Sequence, residues 1–324
     1  MMQRVINLFQ ERGLAAVEAS KQYAMKDKIA YQPLENALQF FMQEIWFDFL
    51  HPTLIALACE AVGGDAEKTL NIGAAIVLLA GGADIHDDII DESAAKGSTP
   101  TVFGKFGCDV AVLAGDVLLQ NGLYMLHESC AGLPKDQKQE ILEIVKNAFL
   151  EICSGEAHEA SLRGKTDISR QEYMNIISQK IAASEATTRI GAILGGGSRK
   201  EIELLGHFGR TYGILMTLRD EFIDMFEADE LKNRFDNECL PMPVLLAMQD
   251  ESIKKSILQW LMDELSEDAI EKILDIVMSS QDTLQLLADM NCWAEKEITL
   301  LSPLNHYGDI FKLLLHATLE DLNQ

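Results

Sequence analysis

An all-α bundle is the fold class that the sequence predicts, and three observations predict it. Apolar residues recur at i, i+3, i+4 and i+7 through long segments. No stretch alternates with the period of two that a half-buried strand needs. The seven prolines, Pro33, Pro52, Pro100, Pro134, Pro241, Pro243 and Pro303, fall at or near the ends of those segments.

Taken in order, residues 3–30 and 34–49 open the chain on either side of Pro33, and 52–61 starts at Pro52. The next segment, 66–92, is apolar on nearly every side until it ends in acids, the pattern of a helix buried all round at the centre of a bundle. Residues 103–130 and 135–162 follow Pro100 and Pro134, and 170–195 comes next. Segment 199–227 repeats the design of 66–92: the apolar run in "YGILMTLRDEFIDMF" leads into Asp220, Glu221 and Asp224. Helices over 241–263, 267–279, 282–299 and 304–322 complete a C-terminal third that is acidic and carries no recognisable chemistry. No Ser/Gly/Pro-rich linker, low-complexity tract or solenoid-period repeat interrupts the 324 residues, so one domain over 1–324 with a single helical core is expected.

The net charge is −24. A surface that acidic repels phosphate backbones, which argues against nucleic acid as a partner, and an anionic substrate would need a cation to bring it in. Cys59, Cys108, Cys130, Cys153, Cys239 and Cys292 form no CxxC and read as reduced thiols. The N-terminal stretch has charges throughout and no cleavable apolar region. The longest uncharged apolar run, 72–83, is shorter than the ~20 residues of a membrane span. A cytoplasmic protein without a transmembrane segment is expected.

The chemistry lies in the two acid clusters. In "GGADIHDDIIDES", Asp87 and Asp91 share one helix face, with Asp88 beside them and Asp84 one turn earlier; Asp220 and Asp224 form a second i, i+4 pair. Grouped carboxylates repel unless something positive lies between them, and the nearest cations in sequence are Lys96 and Arg219. A hard divalent cation serves better: Mg²⁺ takes one or two carboxylates, keeps waters and completes its shell with phosphate oxygens. A solvated helix end explains one such motif; two, each following an apolar helix, point to a substrate with a diphosphate head and a hydrocarbon tail.

The stretch "IHDDIIDES…PTVFGKFGCDVAVLAGDVLL" (85–119) closely resembles the trans-isoprenyl diphosphate synthases, the polyprenyl synthetase family. "LRDEFIDMF" (218–226) resembles that family's second aspartate-rich motif, and "ACEAVGGD", "SGEAHEASLRGK" and "ISQKIAASEATTRIGAILGGG" fall at its expected places. The match covers roughly residues 35–250. The resemblance implies an isoprenoid-synthase-type helical bundle around a central cavity, usually a homodimer, in which three Mg²⁺ ions grip an allylic diphosphate. It puts Asp87, Asp88 and Asp91 at the first metal motif and Asp220 and Asp224 at the second. It gives Lys180 a contact to the allylic diphosphate, with Asp87, Asp88, Asp91 and Lys180 as the catalytic set. The implied reaction ionises the allylic diphosphate to a cation, which the double bond of isopentenyl diphosphate attacks.

The chain departs from the family pattern at its basic end. Where the family carries "GGKRxRP", this sequence reads "WFDFLHP", with Asp48 and Phe49 at basic positions and His51 in place of an arginine. Ala80 stands at a family histidine, Lys96 and Gly97 at an arginine pair, and Thr217 at a glutamine, and the lysines that follow the family's second motif are missing unless Lys232 or Arg234 stands in for them. His51 and Lys96 are candidate replacements in substrate binding, together with Arg219; a helix-start histidine without a ligand role is the other reading of His51. His158 and Glu159 read as a structural pair. Gly81, Gly82 and Ala83 are small where an aromatic would floor the pocket. They predict either a deep cavity for chains of C15 or longer, with Gly82 and Ala83 lining it, or merely close helix packing. Three functions stay open: a prenyl diphosphate synthase of medium-to-long product, a terpene cyclase or prenyltransferase to a different acceptor, and a partner subunit of a heteromeric synthase.

Overall fold

The computed structural model describes residues 1–262, 266–304, 306–320 and 322. The chain runs through α1 (Met2–Ala24), α2 (Gln32–Phe40), α3 (Leu50–Ala61), α4 (Leu70–Ile90), α5 (Val102–Phe106), α6 (Cys108–Ser129), α7 (Lys135–Ala160) and α8 (Arg170–Lys180). It continues through α9 (Ala182–Leu194), α10 (Arg199–Asp224), α11 (Ala228–Asn237), α12 (Met242–Ala247), α13 (Glu251–Met262), α14 (Glu267–Ser279), α15 (Gln281–Leu301) and α16 (His306–Leu319). A π-helical turn covers Phe41–Ile45, and 3-10 turns cover Ala66–Thr69 and Ser302–Leu304. Among the described residues the strands are β1 (Ala95–Lys96) and β2 (Thr99–Pro100), paired antiparallel.

The all-α expectation holds, and the joints differ from it for local reasons. Segment 103–130 is two helices because Gly107 sits at φ +81°, a conformation that glycine adopts without strain. Segment 170–195 breaks at Ile181, whose φ −85°, ψ 10° leaves the helical region. Segment 34–49 ends in the π turn, after which Trp46 is extended. Segment 241–263 divides into α12 and α13. Helix α11 was not expected at all: its sequence, ADELKNRFDN, is mostly charged, and only Leu231 and Arg234 are buried.

Helix α4 is the core of the bundle. Ile72, Val77, Leu78 and Ile85 are fully buried or nearly so, and α4 packs against α6, α1 and α3. Burying each large aliphatic side chain is worth ~1.5–3 kcal/mol, so the helix as a whole can carry a few kcal/mol of carboxylate crowding at its end. The stretch Ala66–Ile90 is long and apolar enough to cross a membrane by length and composition, but it is mostly buried inside the protein. Close approach of α4 to α6 depends on Gly82: a Cβ there would meet Leu119 Cγ at 2.8 Å and the Gly115 carbonyl oxygen at 2.9 Å. On the other side, α9 packs against α3 and α10, and α7 joins through α8 and α9. That arrangement leaves a groove between α4 and α7, floored by α9. All six cysteines are free thiols.

Candidate active site

The C-terminal part of α4 brings Asp84 and Asp87 into one end of this groove, with Asp91 at the C-cap just beyond them. Asp87 faces α7, where Glu156, Phe149 and Ile152 line the same cavity of about 400 Å³. Deeper in, Ala83, Phe149 and Ile152 also line a narrow apolar cavity of about 60 Å³, walled by Ile76, Leu79 and Ala80 of α4 and by Ala183 and Ala186 of α9. The two join into a channel with an acidic mouth and an apolar end.

Ala83 is therefore in the channel as expected, but Gly82 is not. Helix periodicity turns Gly82 toward α6, and Gly81 toward the π turn, where a Cβ would meet Phe41 Cε1 at 2.9 Å and Trp46 Nε1 at 3.0 Å. Both glycines serve helix packing. The small residues of α4 that do line the channel are Ala80 and Ala83, beside Ile76 and Leu79.

Each acid of the first cluster has a distinct environment. Asp88 is buried, and Lys96 Nζ from β1 reaches both Asp88 Oδ1, at 2.9 Å, and Asp84 Oδ1, at 2.8 Å. Burial pushes the Asp88 carboxyl up to about 7, against the opposing pull of Lys96. Asp91 lies 3.5 Å from Arg163 Nη2, which also donates to the Ile90 carbonyl. Burial, reinforced by Asp87, raises Asp91 to about 6. Lys180, at the end of α8, is bound to Glu156 Oε2 at 3.0 Å and to Glu159 Oε2. Burial would lower the Lys180 ammonium, but Glu159, Asp87 and Glu156 hold it well above its ordinary value. Glu156 rises to about 8, through burial first and then the adjacent Asp87.

These acids outnumber the cations between them, and Asp87 Oδ1 is buried with no hydrogen-bond partner. A buried carboxylate oxygen without a donor costs on the order of 1–3 kcal/mol. The donor set is all hard oxygen. Among the described residues no three acidic, histidine or cysteine side chains converge to enclose an ion on their own. A cation that takes one or two carboxylates and finishes its shell with water and phosphate oxygen fits that arrangement, and Mg²⁺ is such a cation.

The second cluster is different. Asp220 is the open member: its side chain is half exposed, it lies 3.2 Å from Arg219 Nη1, and burial of the carboxyl group still raises it to about 6. Glu221 is fully engaged in the core. Its carboxylate accepts from Tyr173 Oη at 3.0 Å, from Arg234 Nη2 at 2.8 Å and from the Met242 backbone N–H at 2.6 Å. Asp224 Oδ2 accepts from Arg234 Nη1 at 2.8 Å.

Two sequence candidates land elsewhere. His51 is not among the residues lining either this channel or the cavity beside Lys96. It pairs with Asp48 at the start of α3, Nδ1 to Oδ2 at 2.8 Å, with its backbone N–H on Asp48 Oδ1. Burial lowers the imidazole, but Asp48 outweighs it and raises the value overall. His158 faces Glu172 at 3.4 Å and not Glu159, which belongs to Lys180. A second cavity, of about 500 Å³, lies across α4 from the channel. Phe41, Trp46 and Phe47 line it with Glu44, Asp84 and Asp88, and Lys96 is the one cation among its lining residues.

Sequence reasoning missed Glu156, Arg163 and Tyr173, and it offered Arg234 as a stand-in for a missing lysine where the structure commits it to Glu221 and Asp224. The first two lie inside the quoted "SGEAHEASLRGK" stretch, so position relative to that motif was an available signal. Tyr173 sits in a segment whose composition gives none.

Comparison with known proteins agrees with this geometry. Residues 49–277 match the polyprenyl synthetase family. The chain is 31% identical over 236 residues to the short chain isoprenyl diphosphate synthase of Methanothermobacter thermautotrophicus, covering 72% of this chain and 69% of that protein. It is 32% identical over 182 residues to the geranylgeranyl diphosphate synthase of Sulfolobus acidocaldarius, covering 56% and 55%. In fold it superimposes on the crystal structure of geranylgeranyl pyrophosphate synthetase from Pyrococcus horikoshii with a TM-score of 0.86, at 22% identity, over 98% of this chain and 99% of that one. With its family match running through the first acid cluster, the channel and the second cluster, the chain belongs to the polyprenyl synthetase family.

Proposed function

We propose that this protein is a prenyl diphosphate synthase that joins an allylic diphosphate to isopentenyl diphosphate. The observation that carries the reading is the acid cluster of α4 at the mouth of an apolar channel. The diphosphate head would lie between Asp87, Asp91 and Lys180, with Asp88 and Lys96 behind them. The hydrocarbon tail would run past Ala83 and Phe149, where each buried CH₂ is worth ~0.8 kcal/mol. Mg²⁺ held by Asp87 and Asp91, with Asp88 bound to Lys96 behind them, would neutralise the departing diphosphate oxygens.

The allylic C–O bond breaks and its electron pair leaves with the diphosphate. The π electrons of isopentenyl diphosphate then form the new C–C bond, and a proton is lost to restore a double bond. Residues of this chain serve the sequence in two ways. Lys180, held charged by Glu156 and Glu159, is placed to bind the diphosphate as it leaves. Ala80, Ala83, Phe149 and Ile152 keep water from the allylic cation, and the Phe149 ring offers it a π face.

Exposed apolar residues on α6 and α7, among them Leu113, Leu123, Tyr124 and Leu150, support a homodimer as the working form. A single unit over 1–324 acting in the cytoplasm completes the reading.

The test is turnover with Mg²⁺ on geranyl, farnesyl or geranylgeranyl diphosphate, each with labelled isopentenyl diphosphate. Label in longer prenyl diphosphates, abolished by Asp87→Asn, is the expected result. Diphosphate release without label incorporation would replace the reading with a cyclase or another acceptor. No release from any substrate would leave a partner subunit.

A further inference from the structure

We infer that a resident guanidinium, Arg234, occupies the second acid cluster in place of a divalent ion, so that the chain grips its diphosphate with the ions of the first cluster alone. This rests on the metal-assisted reading above.

Arg234 sits in α11, ten residues beyond the cluster, and is buried. Every nitrogen of its fork is committed. Nε donates to the Cys239 carbonyl at 3.0 Å, Nη1 to Asp224 Oδ2 at 2.8 Å, and Nη2 to Glu221 Oε1 at 2.8 Å and Tyr173 Oη at 2.9 Å. A side chain fixed from three directions cannot swing out to make room for an ion, and a planar five-donor group suits two carboxylates better than a point charge does.

The acids are equally committed. Glu221 accepts on both oxygens, from Tyr173, Arg234 and the Met242 N–H. It would have to leave the core to reach a metal. Asp224 gives its Oδ2 to Arg234, so the guanidinium occupies the side of that carboxylate that an ion bridging the i, i+4 pair would need. Asp220 is then the one carboxylate of the cluster without a bond to Arg234. That carboxylate already lies 3.2 Å from Arg219 Nη1, so a divalent cation there would have to displace or sit beside a second guanidinium. The first cluster is the opposite case: Asp87 Oδ1 is buried and has no donor. The resemblance to the polyprenyl synthetases implies three ions; with Arg234 in the second cluster one fewer is expected, which leaves two.

The experiment counts ions on the full chain. Mn²⁺ is titrated into the protein in saturating inorganic pyrophosphate, and free Mn²⁺ is read by electron paramagnetic resonance. Two ions per chain are expected. Asp224→Asn, which keeps an acceptor oxygen for Arg234 Nη1, should leave both the count and the Mn²⁺ affinity within twofold of the parent. Asp87→Asn should lower the count. Three ions per chain, or loss of one ion in Asp224→Asn, would overturn the inference while leaving the synthase reading intact. No bound Mn²⁺ at all would overturn both.

Discussion

Raising the pH in the absence of metal should destabilise the protein. Asp88, Asp91 and Glu156 titrate in the folded chain at about 7, about 6 and about 8, whereas the unfolded chain releases the same protons near 4. Between those limits the folded state holds protons that the unfolded state has lost, so stability falls as pH rises and flattens once the raised values are passed. The three side chains are mostly buried, at 4%, 18% and 17% exposure, so solvent screening removes little of the effect. The His51 imidazole, raised by Asp48, adds a contribution of the same sign. One retained proton is worth ~1.4 kcal/mol per pH unit, so a single group across pH 6 to 8 costs about 3 kcal/mol. At about 2 °C per kcal/mol for a chain of this size, Tm should drop by roughly 5 °C. Differential scanning calorimetry in EDTA measures this directly. Mg²⁺ with pyrophosphate should flatten the slope, because a cation at the cluster displaces the same protons. A metal-free Tm that stays level or rises from pH 6 to 8 would refute the crowding of acids at the end of α4.

Further outcomes follow from single contacts. Ala83→Phe should fill the channel and shorten the product by at least one isoprene unit. Gly82→Phe should instead strike Leu119 and the Gly115 carbonyl, costing ~1–3 kcal/mol or more without changing product length; chain-length analysis beside urea unfolding separates the two. Tyr173→Phe removes a buried hydroxyl shared by Glu221 and Arg234 and should cost ~1.5–3 kcal/mol in urea unfolding; a loss below ~0.5 kcal/mol would contradict the bonding described. Lys96 is the one cation lining the cavity across α4, and Asp48, Phe49 and Gly97 stand where the family has basic residues. KM for isopentenyl diphosphate should therefore exceed that for the allylic substrate by tenfold or more, since each missing charged contact is worth ~1.5–3 kcal/mol. Equal values would show that other residues supply the missing charge.

What the sequence made legible is what local spacing encodes. The central helix, the two acid clusters and the all-α class follow from periods of 3.6 and from i, i+4 pairs, and the structure holds the helices in the predicted order. Orientation around a helix was harder to read. Gly82 and Ala83 are adjacent and both small, yet a rotation of one residue turns the first into α6 and leaves the second in the channel. Long-range partners were illegible. Arg234 meets Tyr173 across 61 positions, and the charged sequence of α11 gives no periodic signal to place it. His51 was ambiguous because a histidine at a helix start serves a ligand or a neighbouring carboxylate equally well by sequence, and only the fold shows Asp48 beside it.

The central claim is that the acids of α4 hold a diphosphate whose tail enters the channel between α4 and α7. A crystal structure with Mg²⁺ and farnesyl thiodiphosphate, whose C–S bond resists ionisation, tests it most directly. The account predicts the diphosphate among Asp87, Asp91 and Lys180, with the farnesyl chain against Ala83, Phe149 and Ile152. A diphosphate bound away from Asp87, or a tail lying in the cavity beside Trp46, would contradict it.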